Sequence, residues 1–168
     1  TSLSNLSITG CSAFTTHDFS AYSSLKTLDI SGSGIESISM TNNTSLTTLT
    51  AQENESLETL TLSGCLALVN VDVTDSVNLK TMDVGSCASL DNLDISTLSN
   101  LEVLDVSETS LTEIDISNNV LIEELDISDT QISYFELYSN TALKSLEARG
   151  YIGDELAITE SPGLSLVD

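Results

Sequence analysis

Four carboxylates recur at nearly constant intervals in the second half of this 168-residue chain: Asp83, Asp105, Asp126 and Glu147 follow one another at steps of 22, 21 and 21 residues, with Glu102, Glu123 and Glu124 beside them. Stacked in register, such residues make a negative strip that attracts divalent cations or the Lys and Arg side chains of a partner. The plainer reading of the same file is that outward charges keep an exposed β-surface soluble and stop it pairing with its neighbours. The sequence offers no compact run of alternating Asp and Asn ligands of the kind that builds a calcium loop. No cofactor is implied, and weak divalent-cation binding is the most that the strip suggests.

The remaining reactive side chains are few. His17 is the only histidine, and without a second His or suitably spaced Cys and acid partners it does not make a zinc site. A nucleophile elbow of the G-x-S-x-G type is missing too, so Ser-His-Asp catalysis has no scaffold here. Cys65 and Cys87 lie 22 residues apart and should be neighbours in space, either as buried thiols bonding the turn backbone or, less simply, as a disulfide. Cys11 falls outside that pair. Tyr134 and Tyr138 flank a short apolar segment and point outward, followed one segment later by Arg149 and Tyr151. Exposed aromatics on a Ser, Thr and Asp surface suit glycan stacking or a protein hot spot, or else shield the last part of the fold.

Composition narrows the partners. Lys and Arg number 4 against 26 Asp and Glu, a net charge of −22, which excludes nucleic acid and anionic membrane surfaces as ordinary ligands. Apolar residues make up 40% of the chain but aromatics only 4%, with no Trp, so the core must be built from layers of Leu, Ile and Val. Three cysteines are too few for a disulfide scaffold, and no apolar run approaches the ~18 residues that span a bilayer. A monomer is expected.

What positions these residues is a repeat. Leu101, Leu104, Val106 and Leu111 stand at positions 1, 4, 6 and 11 of an eleven-residue frame, and the middle of the frame alternates inward and outward as a half-buried strand does. The same frame starts at 3, 14, 25, 35, 46, 57, 68, 79, 90, 101, 111, 122, 132, 143, 153 and 164, nearly always at steps of 10 or 11. Strand cores are predicted at positions 4 to 6, among them Leu28–Ile30, Leu93–Ile95, Leu104–Val106, Ile114–Ile116 and Phe135–Leu137. His17 falls at an inward position in a degenerate copy, Phe14 to Phe19. Two frames make a coil of 21 or 22 residues, and the short links between strands leave no room for a helix of even two turns.

The frames form two alternating sets. The set starting at 14, 35, 57, 79, 101, 122 and 143 has Tyr22, Asn43, Cys65, Cys87, Thr109, Thr130 and Tyr151 at its ninth position, residues able to bond the turn backbone. The other set has Cys11, Ser33, Asn54, Ser76, Leu98, Asn119, Asn140 and Ser161 there, and carries its own acidic file of Asp29, Asp72, Asp94, Asp115 and Glu136. The first set is expected to form the continuous parallel sheet on the concave side.

The runs Leu111-Thr-Glu-Ile-Asp-Ile-Ser-Asn-Asn119, Leu125-Asp-Ile-Ser128 and Ser139-Asn-Thr-Ala-Leu-Lys-Ser-Leu146 resemble the short leucine-rich repeats of internalin-like bacterial surface proteins, over residues 3 to 168. The resemblance implies a single leucine-rich-repeat domain over residues 1–168, helix-poor and coiled as a solenoid, taken from a longer chain because no end caps are evident. It further implies a non-enzymatic recognition module, extracellular or at the cell surface, that binds a protein or glycan partner. A spacer presenting other domains is the alternative. A parallel β-helix carbohydrate-active enzyme would share the coil length but should show three strands per coil.

Overall fold

Leu28, Leu49, Leu60, Met82, Leu104, Leu125 and Leu146 each stand at the centre of a three-residue strand, fully buried between two outward neighbours. The computed structural model describes residues 3–153, 156–158 and 164–167, and within them every strand is this short. In most frames ladder pairing runs over positions 3 to 5, one residue earlier than predicted, as where Val103–Asp105 pairs with Thr81–Asp83 and with Glu124–Asp126, whereas Phe135–Leu137 and Leu156–Ile158 pair over positions 4 to 6 as predicted. Position 6 still turns inward just past the ladder, so Val106 is as buried as Leu104. Each coil thus presents Leu, Ile or Val from both sides to one aliphatic core that runs from Phe19 to Leu146. Burying one such side chain contributes about 1.5–3 kcal/mol, so the repeat stabilises itself layer by layer.

All pairing is parallel between successive coils. The first set makes a seven-stranded sheet from Ser37–Ser39 to Ser165–Val167. The second set is divided. Asn5–Ser7, Thr27–Asp29, Thr48–Thr50 and Asn70–Asp72 form a four-stranded sheet, and Phe135–Leu137 pairs with Leu156–Ile158. A coil therefore carries two strand positions rather than the three of a β-helix. Helices are absent among the described residues, so none is long and apolar enough to cross a membrane. The described residues form a helix-free solenoid of parallel strands.

Between the two sheets of the second set, strand pairing stops. The segments Leu93–Ile95 and Ile114–Ile116, predicted as strands, are irregular, although Leu93, Ile95 and Ile116 still pack inward. The turns that follow differ as well. In ten other frames the eighth residue has a positive φ: Gly at 10, 32, 64 and 150, and Asn42, Glu53, Asp75, Ser86, Glu108 and Asp129 with φ between 54° and 60°. There its amide usually donates to the seventh-position carbonyl of the next coil, as from Ser86 to Ser107 at 2.8 Å. Thr97 and Asn118 occupy this position in the two irregular frames and do not share that conformation, nor does Ser139 in the frame of Phe135–Leu137. A left-handed residue reverses the chain tightly after its strand, and both irregular frames lack one.

The inward expectation for His17 does not hold. His17 is exposed, the Phe14 to Phe19 segment forms no strand, and Phe19 alone is buried there. An imidazole at an inward position would have to leave polar atoms unpartnered in an aliphatic layer, a desolvation cost that exposure avoids. Instead its Nε2 meets the Tyr22 hydroxyl at 3.1 Å, and its ring lies among Phe14, Phe19 and Tyr22 with centroids 4.8 to 5.7 Å away. These aromatics cover the first coils.

Candidate recognition surface

The acidic file lies where the sequence puts it. Asp83, Asp105 and Asp126 are paired side by side across the seven-stranded sheet, with Glu147 next in register through the Asp126 pairing. Each Asp is half-buried, and Glu147 is exposed. Their immediate task is local. Asp83 accepts the Gly85 amide at 3.0 Å, Asp105 the Ser107 amide at 2.9 Å and its hydroxyl at 2.6 Å, and Asp126 the Ser128 amide at 2.8 Å. A carboxylate that caps the amide two residues on locks the turn that ends its strand. Burial pushes the Asp83 carboxyl above its usual range, against the bond from Gly85, and Asp105 on the next coil adds to the rise. Among the described residues no three His, Cys, Asp or Glu side chains are grouped to hold a metal ion.

Glu102, Glu123 and Glu124 border this face, Glu102 and Glu124 exposed and Glu123 half-buried. Glu123 is taken up in an ion pair with Lys144 at 2.6 Å. Lys80 with Glu58 at 3.1 Å and Arg149 with Asp129 at 2.6 Å complete the described pairs. These three cations therefore sit along the margins of the continuous sheet, joining one coil to the next, while Lys26 flanks the four-stranded sheet.

The ninth-position residues hold successive turns together on both sides. The buried thiols of Cys65 and Cys87 donate to the carbonyls of Met40 at 3.0 Å and Leu62 at 3.3 Å, and no disulfide joins them. Burial pushes the Cys87 thiol up to about 12, with the neighbouring Cys65 next in effect. Asn43 caps its own turn through the amides of Ser45 and Leu46. On the second side Asn119 Nδ2 donates to Ile95 and Leu98, and Ser76 Oγ to Ala51. Ser161 lies outside the described residues.

Tyr134 and Tyr138 are not part of the acidic sheet. They are 65% and 57% exposed and belong to the second side, beside the place where its strand pairing fails. A recess of about 750 Å³ opens there between Leu93, Asp94, Glu113, Ile114, Asp115, Glu136 and the two tyrosines. A second recess of about 430 Å³ extends it over Thr48–Thr50 and Asn70–Asp72, sharing Asn92 and Asp94. The Tyr134 hydroxyl donates to Glu136 Oε1. A hydrogen bond to the same carboxylate raises the Tyr138 phenol above its ordinary range. Bonds from the Ser96 and Ser117 hydroxyls and amides hold the Asp94 and Asp115 carboxyls below theirs. Asp94, Glu113 and Asp115 were not singled out as site residues by sequence, because Leu93-Asp-Ile95 and Ile114-Asp-Ile116 match the strand frame as well as any other copies.

No protein-family model matches the chain, and no curated protein matches it. Among solved structures, the functional domain of InlJ from Listeria monocytogenes, which includes a cysteine ladder, aligns over 87% of this chain and 44% of that one, at 20% identity and a TM-score of 0.46. A complex of Latrophilin 3, Unc5D and the leucine-rich repeats of FLRT2 aligns over 89% of this chain and 74% of that one, at 16% identity and a TM-score of 0.24. The chain spans less than half the length of the InlJ chain.

Proposed function

We propose that this chain is a non-enzymatic leucine-rich-repeat recognition module of an exported bacterial surface protein, binding a protein or glycan partner outside the cell. The observation that carries this reading is the recess on the second side, with Tyr134 and Tyr138 exposed at its rim. Large aromatic side chains left in water at the rim of a recess are the kind of surface a partner covers. The rest of the solenoid supplies a stiff backing, since its inward positions are filled and its turns are locked. The test is to immobilise the chain and measure saturable binding to a panel of purified extracellular-matrix proteins and to a glycan array. A partner whose binding falls at least tenfold in the double variant Tyr134→Ala, Tyr138→Ala supports the reading. Binding indifferent to that change, or none at all, overturns it.

The spacer reading draws on the acidic file. Because Asp83, Asp105 and Asp126 are engaged in their own turns, that face acts first as structure and as a solubilising surface. A chain that binds nothing on the panel while holding its fold would be the outcome favouring it.

A further inference from the structure

We infer that the recess on the second side docks a segment of a partner protein through Arg or Lys side chains held between the Tyr134 and Tyr138 rings and the carboxylates of Asp94, Glu113, Asp115 and Glu136. This deepens the recognition reading above and rests on it, since it names the partner's chemistry at the same site.

The first argument is charge. The linings of the two joined recesses contain Asp72, Asp91, Asp94, Glu113, Asp115 and Glu136 and not one Lys or Arg. Elsewhere on the molecule the described cation pairs offset their acids: Lys80 faces Glu58, Lys144 faces Glu123 and Arg149 faces Asp129, all beside the continuous sheet. The recess keeps its negative charge, and a hollow of one sign concentrates ligands of the other. The hydrogen bonds that depress Asp94 and Asp115 keep both charged well into the acid range.

The second argument is shape and surface. A space near 750 Å³ lies within the ~300–1,000 Å³ of ordinary ligand sites and exceeds a single side chain, so it suits two or three residues of an extended segment. Its floor is partly apolar, with Leu93, Ile114 and Phe135 contributing carbon surface against which the methylene stem of Arg or Lys can lie. Its rim supplies two phenol rings, and a guanidinium stacks on an aromatic face while donating to carboxylates at its edge. A neutral sugar would satisfy the hydrogen bonds but leave the charge of the site without a counterpart.

The test uses isothermal titration of the folded chain in 0.15 M sodium chloride with the acetylated, amidated pentapeptide Arg-Gly-Arg-Gly-Arg, and with the same peptide carrying Gln for Arg. The arginine peptide is expected to bind at one site and at least tenfold more tightly than the glutamine peptide. Tyr134→Ala with Tyr138→Ala, and separately Glu113→Gln, should each weaken it at least fivefold. All three residues are exposed, so their melting temperatures should match the parent and show the fold intact. Asp105→Asn with Asp126→Asn, on the opposite side, should change the affinity less than twofold although more charge is removed. Equal weakening by that pair would mean general attraction to an acidic chain and overturn the inference, as would equal binding of the two peptides. If neither peptide binds but a panel protein or glycan still binds through Tyr134 and Tyr138, the inference falls and the recognition reading stands. If nothing binds, both fall.

Discussion

Asn140 donates through Nδ2 to the backbone carbonyl of Asn119, one coil back, at 3.1 Å, and to that of Ile116 at 3.2 Å, with its side chain wholly inside the solenoid. Asn119 repeats the arrangement toward Leu98 and Ile95. This ladder spans the coils whose strand pairing fails on the second side, so it supplies coil-to-coil bonds where the sheet does not. Asn140→Ala should leave two buried carbonyls without this donor and cost about 1–3 kcal/mol. Chemical denaturation with circular dichroism would measure it, and a loss below about 0.5 kcal/mol would show that the bonds are replaced by water.

Leu125 sits in the middle of the aliphatic core at 2% exposure, centred in the strand Glu124–Asp126. Leu125→Ala should cost about 2–5 kcal/mol, as buried leucine truncations do. An unchanged denaturation midpoint would contradict the packing register.

The turn-locking role of the acidic file separates two substitutions at one site. Asp105→Asn keeps an oxygen for the Ser107 amide and should stay within about 0.5 kcal/mol of the parent, whereas Asp105→Ala loses the bond and should cost about 1 kcal/mol. If Asn and Ala destabilise equally, the carboxylate acts through its charge instead.

The buried thiols make the fold sensitive to base. The Cys87 pKa is raised from 9.0 in the unfolded chain to about 12 in the fold, so the folded state holds the proton more tightly. Its contribution is complete below pH 9 and is lost as pH rises from there toward 12. Stability should decline over that window, and less steeply in Cys87→Ala. In parallel, a thiol reagent at neutral pH should modify exposed Cys11 in the native protein and reach Cys65 and Cys87 only on unfolding.

Much of this was legible in the chain because the fold is local. A residue at position 4 of a frame meets its counterparts one coil away, so the periodicity of Leu, Ile and Val gives the strand centres, and the outward placement of Tyr134 and Tyr138 follows from the same alternation. The function of the Asp file was legible in principle: Asp105-Val-Ser107, Asp115-Ile-Ser117 and Asp126-Ile-Ser128 each put a turn acceptor two residues before a small donor. The recess was not. Leu93-Asp-Ile95 has the same pattern as Leu104-Asp-Val106, yet one is irregular and the other a strand. The turns at Thr97 and Asn118 lack the left-handed residue, but Ser139 lacks it too and its frame still forms a strand, so what separates them is the fit between coils, which no frame viewed alone contains. His17 departs for the opposite reason: the frame puts it inward, and the polarity of the side chain overrules the frame.

The interrupted side has a mechanical meaning. From Asn70–Asp72 to Phe135–Leu137 successive coils are joined by strand pairing only along the continuous sheet. That sheet acts as a spine, and on the opposite side the coils are tied without strand pairing, by bonds such as those of Asn119 and Asn140. The solenoid should bend most easily by widening or narrowing the gap facing away from the spine, and resist bending sideways. Under tension from its two ends, it would part first at these junctions, well before the doubly fastened coils between Thr27 and Asp83.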